Sequence, residues 1–282
     1  MPAAWVSGRR VLVIVPAWNE QASIGTTVSE IRACVPEADL LVVDDGSSDH
    51  TRQRAAEAGA TVCSLPYNLG VGGAMRAGYR FALRNDYDIA VQIDADGQHD
   101  PRYVPTLVDR LSEADVVIGA RFATADDPYK VRGPRRWAMV LLATVLSRLA
   151  HTRLTDVTSG FRVSNRRAIS LFARHYPAEY LGDTVESLVI GARAGCVIRQ
   201  EPVVMRPRMA GRASHSPVKA AVYLLRAVFA LFLALVRDWP AQLDDSAGAS
   251  TAPTPQPSAT SEPPRARGVT APEDRATEQV EP

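Results

Sequence analysis

Three apolar runs in the first third of the chain each end in an acidic cluster, and no other feature restricts the fold as strongly. VLVIV at 11–15 leads into PAWNE, LLVV at 40–43 into DDGSSD, and IAVQI at 89–93 into DADGQH. Each run is short and, apart from Gln92, apolar rather than alternating, which marks a strand buried on both faces. Helical spacing at Ile24, Val28 and Ile31 follows the first run. Thr51–Ala58, Gly73–Arg84 and Tyr103–Leu111 read as further helices, and Thr61–Leu65 and Val116–Ile118 as further strands. The alternation predicts an α/β fold, a Rossmann-like and mostly parallel sheet covered by helices. In such sheets ligands bind beyond the carboxyl ends of the strands. All three acidic clusters are therefore expected on one rim.

The 282 residues divide unevenly. Residues 1–8 read as an N-terminal extension and 9–216 as the catalytic α/β domain. Residues 217–239 form an apolar helix, and 240–282 a disordered tail. The tail has no aromatic residue and is dense in Pro, Ala, Ser, Thr and Glu, a composition that cannot offset the entropy of ordering. Between 217 and 236 only Lys219 and Arg226 are charged, and the apolar residues surround the helix rather than forming one stripe. This predicts an interfacial or partner-docked helix in preference to a spanning one. A net charge of +1 argues against a nucleic-acid partner. The three cysteines, Cys34, Cys63 and Cys196, are isolated and expected to be reduced and buried. The N-terminal apolar stretch reads as a strand and not a signal peptide, which places the chain in the cytoplasm.

Asp94, Asp96 and His99 lie where a strand gives way to a loop, a spacing at which carboxylates can converge on one hard cation bridging diphosphate oxygens. Of Asp44 and Asp45, one is expected to face a ligand and the other to cap the helix starting near Asp49. Asn19 and Glu20 are candidate caps for the first helix. Gly70, Gly72 and Gly73 precede a helix but miss the dinucleotide-binding spacing, since Met75 stands where the third glycine belongs. Arg121, Arg135, Arg136 and Arg162 carry planar guanidinium groups suited to phosphate oxygens. Asp183 and Glu186 flank a helix start, as caps or as a general base.

VIVPAWNE, VVDDGSSDHT, NLGVGGAMRAG, QIDADGQHDP, VIGARF and DVTSGFR occur in that order, and over Val11 to Ala220 the chain resembles the family 2 glycosyltransferases of the GT-A fold. Within that family it is similar to the polyprenyl-phosphate sugar synthases. The resemblance implies that Pro16, Ala17 and Glu20 line a nucleotide pocket in which Asp44 reads the base. It implies Asp94, Asp96 and Gln98 as ligands of Mg²⁺ or Mn²⁺, with Gln98 in place of His99. Asp96, Arg121 and Glu186 become the catalytic candidates, and Asp45, Gly70, Arg136, Ser159 and Arg162 complete the substrate-binding set.

The activity it implies is transfer of a sugar, with inversion, from a nucleotide-diphosphate sugar of the GDP-mannose or UDP-glucose type to a polyprenyl phosphate. A cell-envelope role follows, at the cytoplasmic face of the membrane, peripheral or weakly anchored, with a small membrane protein as docking partner. Residues 135–149 match the family's membrane-facing helix. The chain departs from the pattern at Thr184, which replaces an acidic partner of Glu186, and in RMAGRASH, which is one residue longer than the usual basic loop. A hydroxyl acceptor in polysaccharide or glycolipid synthesis shares every donor-side motif. A non-catalytic nucleotide-sugar sensor or membrane scaffold would not need the intact carboxylates.

Overall fold

The computed structural model describes residues 6, 8–121, 134–177 and 183–208, with the backbone alone at 134–138. In chain order the elements are β1 (Val11–Ala17), α1 (Ile24–Cys34), β2 (Asp39–Asp44), α2 (Thr51–Glu57), β3 (Thr61–Ser64), α3 (Gly70–Arg84), β4 (Ile89–Gln92) and α4 (Val104–Asp109). There follow β5 (Val116–Arg121), α5 (Pro134–Leu149), β6 (Arg162–Asn165), α6 (Arg166–His175), α7 (Asp183–Arg193) and β7 (Ile198–Val203). The strands form one sheet in the order β3-β2-β1-β4-β6-β5-β7. β3, β2, β1 and β4 are mutually parallel, whereas β6 runs antiparallel to both β4 and β5.

All seven residues of β1 are buried, so its side chains must find apolar neighbours on both faces. Leu12 and Ile14 point into one layer with Leu41, Val43 and the helices α3, α6 and α7. Val11, Val13 and Val15 point into the other, against Ile24 and Val28 of α1 and Leu107 and Val108 of α4. The expected mostly parallel, two-sided sheet is present. β1 pairs with β2 on one side and β4 on the other, which makes the gap between β1 and β4 the topological switch point of the sheet.

Three elements escape the sequence pattern. β6 reads RVSN, with Arg162 and Ser164 buried, and offers no apolar run. β7 is an edge strand that contains Pro202, where a missing N–H costs least. α6 follows β6 without a loop. Two cysteines also differ from expectation: all three are free, but Cys34 and Cys63 are only half-buried. The apolar segment 217–239 and the tail lie outside the described residues; among the described ones, no helix is long and apolar enough to cross a membrane.

Beyond β7 the chain crosses the loop that follows β4. Arg206 N–H donates to the Gln98 carbonyl at 3.0 Å, and the Gln98 amide returns a bond to the Arg206 carbonyl at 3.4 Å. The Arg206 guanidinium pairs with Glu30 of α1 and, at 2.8 Å, with buried Asp100. Asp100 also receives Arg102 at 2.6 Å. Burial alone would raise the Asp100 carboxyl, but the hydrogen bonds from Arg102 and Arg206 hold it down to about 2.

Two outcomes follow from these contacts. A Cβ added at Gly78 of α3 would sit 2.5 Å from Ile14 Cγ2 in the core. Gly78→Ala should therefore destabilise by about 1–3 kcal/mol in urea denaturation, outweighing the roughly 1 kcal/mol that alanine gains over glycine in a helix; an unchanged midpoint would mean that Ile14 yields freely. The depressed Asp100 carboxyl stabilises the fold above its unfolded pKa of about 3.9, and that contribution is lost as pH falls towards 2. Asp100→Asn should remove on the order of 1 kcal/mol at pH 6 and flatten the acid limb of stability between pH 4 and 2, about that size because Arg102 is largely exposed and screened.

Candidate active site

The parallel register aligns Ala17 at the end of β1 with Asp44 at the end of β2. Asp44 is buried and accepts the Ser47 N–H at 3.2 Å. Asp45 accepts the N–H groups of Leu69 and Gly70 at 2.7 and 2.8 Å. Burial pushes its carboxyl up against the pull of those two donors and in the same direction as neighbouring Asp44. These bonds supply acceptors for the start of α3, which consequently begins at Gly70, three residues before the expected start. Neither aspartate caps α2. That task falls to Asp49, which takes the N–H and hydroxyl of Thr51 and the N–H of Gln21.

Asn19 does not cap α1 either. It adopts φ 54°, and its amide oxygen accepts Ser48 N–H at 2.9 Å, binding the loop after β1 to the loop after β2. Gly46, at φ 69°, allows Tyr67 and Asn68 to lie against the DDG turn; a Cβ there would meet the Tyr67 carbonyl carbon at 2.7 Å. Pro16 and Ala17 lie within β1 beside this turn. Trp18 and Tyr67 stand exposed after β1 and β3, on either side of β2.

Asp94 and Asp96 follow β4, across the switch point. The Asp94 carboxylate is 38% exposed and the Asp96 carboxylate 8%. A Cβ at Gly160 would lie 3.0 Å from Asp94 Oδ2, so the segment before β6 passes close against this carboxylate. His99 is not turned towards a cation. Its Nδ1 accepts the Asp94 N–H at 3.0 Å, its ring stacks on Phe161 with centroids 5.0 Å apart, and Nε2 lies 3.6 Å from Asp94 Oδ2. The imidazole is a buried post under the loop.

Asp96 Oδ1 accepts Gln98 N–H, while Oδ2 is paired at 2.8 Å with Arg208. Gln98 spends its amide nitrogen on the Arg206 carbonyl. Glu20 belongs to the same cluster: burial pushes its carboxyl up, Ser23 and Arg208 oppose this, and the charges of Asp96 and Asp49 reinforce it. Glu20, Asp96 and Arg208 thus converge. Among the described residues no group of three His, Cys, Asp or Glu side chains forms a ready metal cage. Asp94 and Asp96 fit instead the arrangement in which two carboxylates share a hard cation with substrate phosphates.

On the far side, Arg121 at the end of β5 pairs with Asp156 at 2.8 Å and donates to Thr158. Burial would raise the Asp156 carboxyl, but the Arg121 guanidinium beside it holds it below the ordinary value. Asp156 was not among the expected residues, since an aspartate in a TDVTSG stretch reads as a turn. Ser159 and Arg162 are both turned inward. The Ser159 hydroxyl donates to the Gly119 carbonyl at 2.6 Å. Arg162 donates to the Ser159, Val157 and Thr184 carbonyls and to the Ser187 hydroxyl. It ties the segment before β6 to the start of α7.

Asp183 and Glu186 occupy the first turn of α7. Asp183 packs against Gly72 of α3, and its buried Oδ2 has no hydrogen-bond partner among the described residues. Burial pushes its carboxyl up, opposed by Arg162 and reinforced by Asp94. Gln92, on β4 two residues before Asp94, likewise buries an unpartnered Oε1. Arg136 lies in the first turn of α5, and its side chain is outside the described residues, as is the basic loop from 209 onward.

A model described as glycosyl transferase family 2 matches residues 12–172. The undecaprenyl-phosphate mannosyltransferase of Micrococcus luteus is 36% identical over 218 residues, covering 73% of this chain and 88% of that protein. The polyprenol monophosphomannose synthase of Mycolicibacterium smegmatis is 32% identical over 183 residues, covering 60% and 66%. Among solved structures, glucosyl-3-phosphoglycerate synthase from Mycobacterium tuberculosis in complex with Mn²⁺, UDP and glucosyl-3-phosphoglycerate gives a TM-score of 0.60 at 25% identity, over 82% of this chain and 81% of that one. The sheet, with its acidic rim at the switch point, is of the GT-A type seen in these neighbours. A family match over more than half of the chain, and a relative similar over most of its own length, place the protein among the glycosyltransferases of family 2.

Proposed function

We propose that the chain moves a sugar from a nucleotide-diphosphate sugar, of the GDP-mannose or UDP-glucose type, to a polyprenyl phosphate at the cytoplasmic face of the membrane, using Mg²⁺ or Mn²⁺. The observation that carries this reading is the placing of Asp94 and Asp96 at the switch point, with Asp44 and Glu20 on the same rim. The similarity to two polyprenyl-phosphate mannosyl transferring proteins supports the acceptor, and the Mn²⁺ and UDP complex of the structural neighbour supports the cation and the nucleotide.

Asp44, with Pro16, Ala17 and Glu20 around it, accepts from the N–H groups of the base, while Asp45 and Gly70 shape the turn beneath. Asp94 and Asp96 would hold the divalent cation, which would supply neutralisation of the charge on the leaving nucleoside diphosphate. Arg208 must leave Asp96 before that carboxylate can serve a cation, and its freed guanidinium is then available to the diphosphate. The Gln98 side-chain oxygen, which the bond from its amide nitrogen to the Arg206 carbonyl leaves unused, would complete the ligand set. Arg121, half-exposed and oriented by Asp156, and Arg136 meet the acceptor phosphate. Ser159 and Arg162 hold the loop below them.

The acceptor's phosphate oxygen forms its bond to the anomeric carbon as the bond from that carbon to the donor's diphosphate oxygen breaks, so the configuration inverts. A phosphate nucleophile is already ionised near neutral pH, and no strong base is required. Glu186 and Asp183 then line and position the acceptor. The segment 217–236 docks at the membrane surface or on a small membrane protein.

Purified full-length chain should be incubated with Mg²⁺ or Mn²⁺, a polyprenyl phosphate and, separately, labelled GDP-mannose and UDP-glucose. Chelator-sensitive label in the lipid phase from one donor is expected, and Asp96→Asn should reduce it by about 100-fold or more. With 3-phosphoglycerate supplied in a parallel reaction, label appearing only in that water-soluble product would replace the lipid acceptor with a hydroxyl acceptor.

A further inference from the structure

The helices α3 and α6 pack against each other on one face of the sheet, and the outer groove between them has an unusual lining. Arg76, Arg80 and Arg84 recur every four residues along α3, which places them on one face of the helix. Together with Arg174 of α6 they surround a cavity of about 360 Å³ floored by Leu83 and Ala173. No carboxylate among the described residues pairs with these four side chains. The other arginines of α6 are matched, Arg166 to Asp86 and Arg167 to Asp115, so on that helix only the arginine at the groove lacks a counter-charge among the described residues.

The innermost arginine is also incompletely bonded. Arg76 donates through Nη2 to the Arg174 carbonyl at 2.8 Å, yet its Nε is buried without a hydrogen-bond partner among the described residues. A buried charged donor left unsatisfied is costly. The neighbouring His175 imidazole is held below its ordinary value by burial and by the positive charges of Arg174 and Arg76. Four arginines therefore line one concavity, in a chain whose net charge is only +1.

We infer that this groove is a second anion site, separate from the acidic rim, which binds phosphate groups through Arg76, Arg80, Arg84 and Arg174. Planar guanidinium forks match phosphate oxygens in pairs, and the run from Arg76 to Arg84 spans about 12 Å of helix, room for more than one phosphate. Two sources supply that chemistry: the headgroups of an anionic lipid surface and a soluble phosphate. The inference uses the family assignment and the fold but not the identity of the acceptor.

Arg80 and Arg84 are both exposed, so the double variant Arg80→Gln, Arg84→Gln leaves the packing of α3 intact, which its melting temperature verifies. The full chain, free of divalent metal, is titrated calorimetrically with inorganic phosphate and pyrophosphate, and is co-sedimented with phosphatidylcholine vesicles with or without phosphatidylglycerol. Each arginine brought to an anionic surface contributes about fivefold in partition, so a headgroup site predicts about 25-fold weaker binding of the variant to the anionic vesicles only. A soluble-phosphate site predicts instead a binding heat that the variant loses by tenfold or more. Equal behaviour of variant and wild type with both probes overturns the inference. Neither readout involves sugar transfer, so a failure here is distinct from a failure of the proposed reaction.

Discussion

Parallel pairing of β2, β1 and β4 forces the acidic residues that close these strands onto one edge of the sheet, and the rest of the site is organised around that concentration of negative charge. Like charges at this spacing repel, and burial raises the cost of ionising them. The fold answers with donors. Asp45 takes two N–H groups at the start of α3, Asp49 takes the start of α2, Asp100 takes two arginines, and Asp96 takes Arg208. Asp94 alone among the acids of the β4 loop keeps a substantially exposed carboxylate. The rim is a set of carboxylates of which most are structural and a few remain for ligands.

The half of the sheet that was legible in the sequence is the half built from unbroken apolar strands. VLVIV and LLVV have one physical solution, burial on both faces, and their acidic ends then fall on one rim. RVSN at β6 has no such signature, because Arg162 and Ser164 are buried by hydrogen bonding rather than by apolarity. Its antiparallel direction was therefore out of reach. Within the site, residue type was readable but orientation was not. Arg162 and Ser159 carry the groups expected near phosphate, yet turn them inward to hold a loop. His99 has the chemistry of a metal ligand and serves as a hydrogen-bond acceptor beneath Asp94. Asp156 gave no signal of its own, since its role exists only through Arg121 across the fold.

Arginine plays contrasting parts in this chain. Arg162 is a buried strut, Arg206 and Arg208 clamp the segment after β7 across the loop after β4, and the α3 arginines stand uncompensated on another face. The clamp links sheet edge to site: the same segment that leaves β7 engages Glu30, Gln98, Asp100 and Asp96 in succession. Arg208 pairs with the carboxylate that the proposed cation would use, so the proposed reaction requires substitution of that guanidinium by the cation at Asp96.

That substitution is the central claim, and donor-free Mn²⁺ binding, followed by electron paramagnetic resonance in wild type and Arg208→Gln, tests it most directly. Removing the guanidinium leaves Asp96 without its resting partner, so the variant should bind Mn²⁺ about tenfold more tightly than wild type, the effect of roughly 1.4 kcal/mol at a charge-assisted pair. Equal or weaker Mn²⁺ binding by the variant would contradict the account and place the cation away from Asp96.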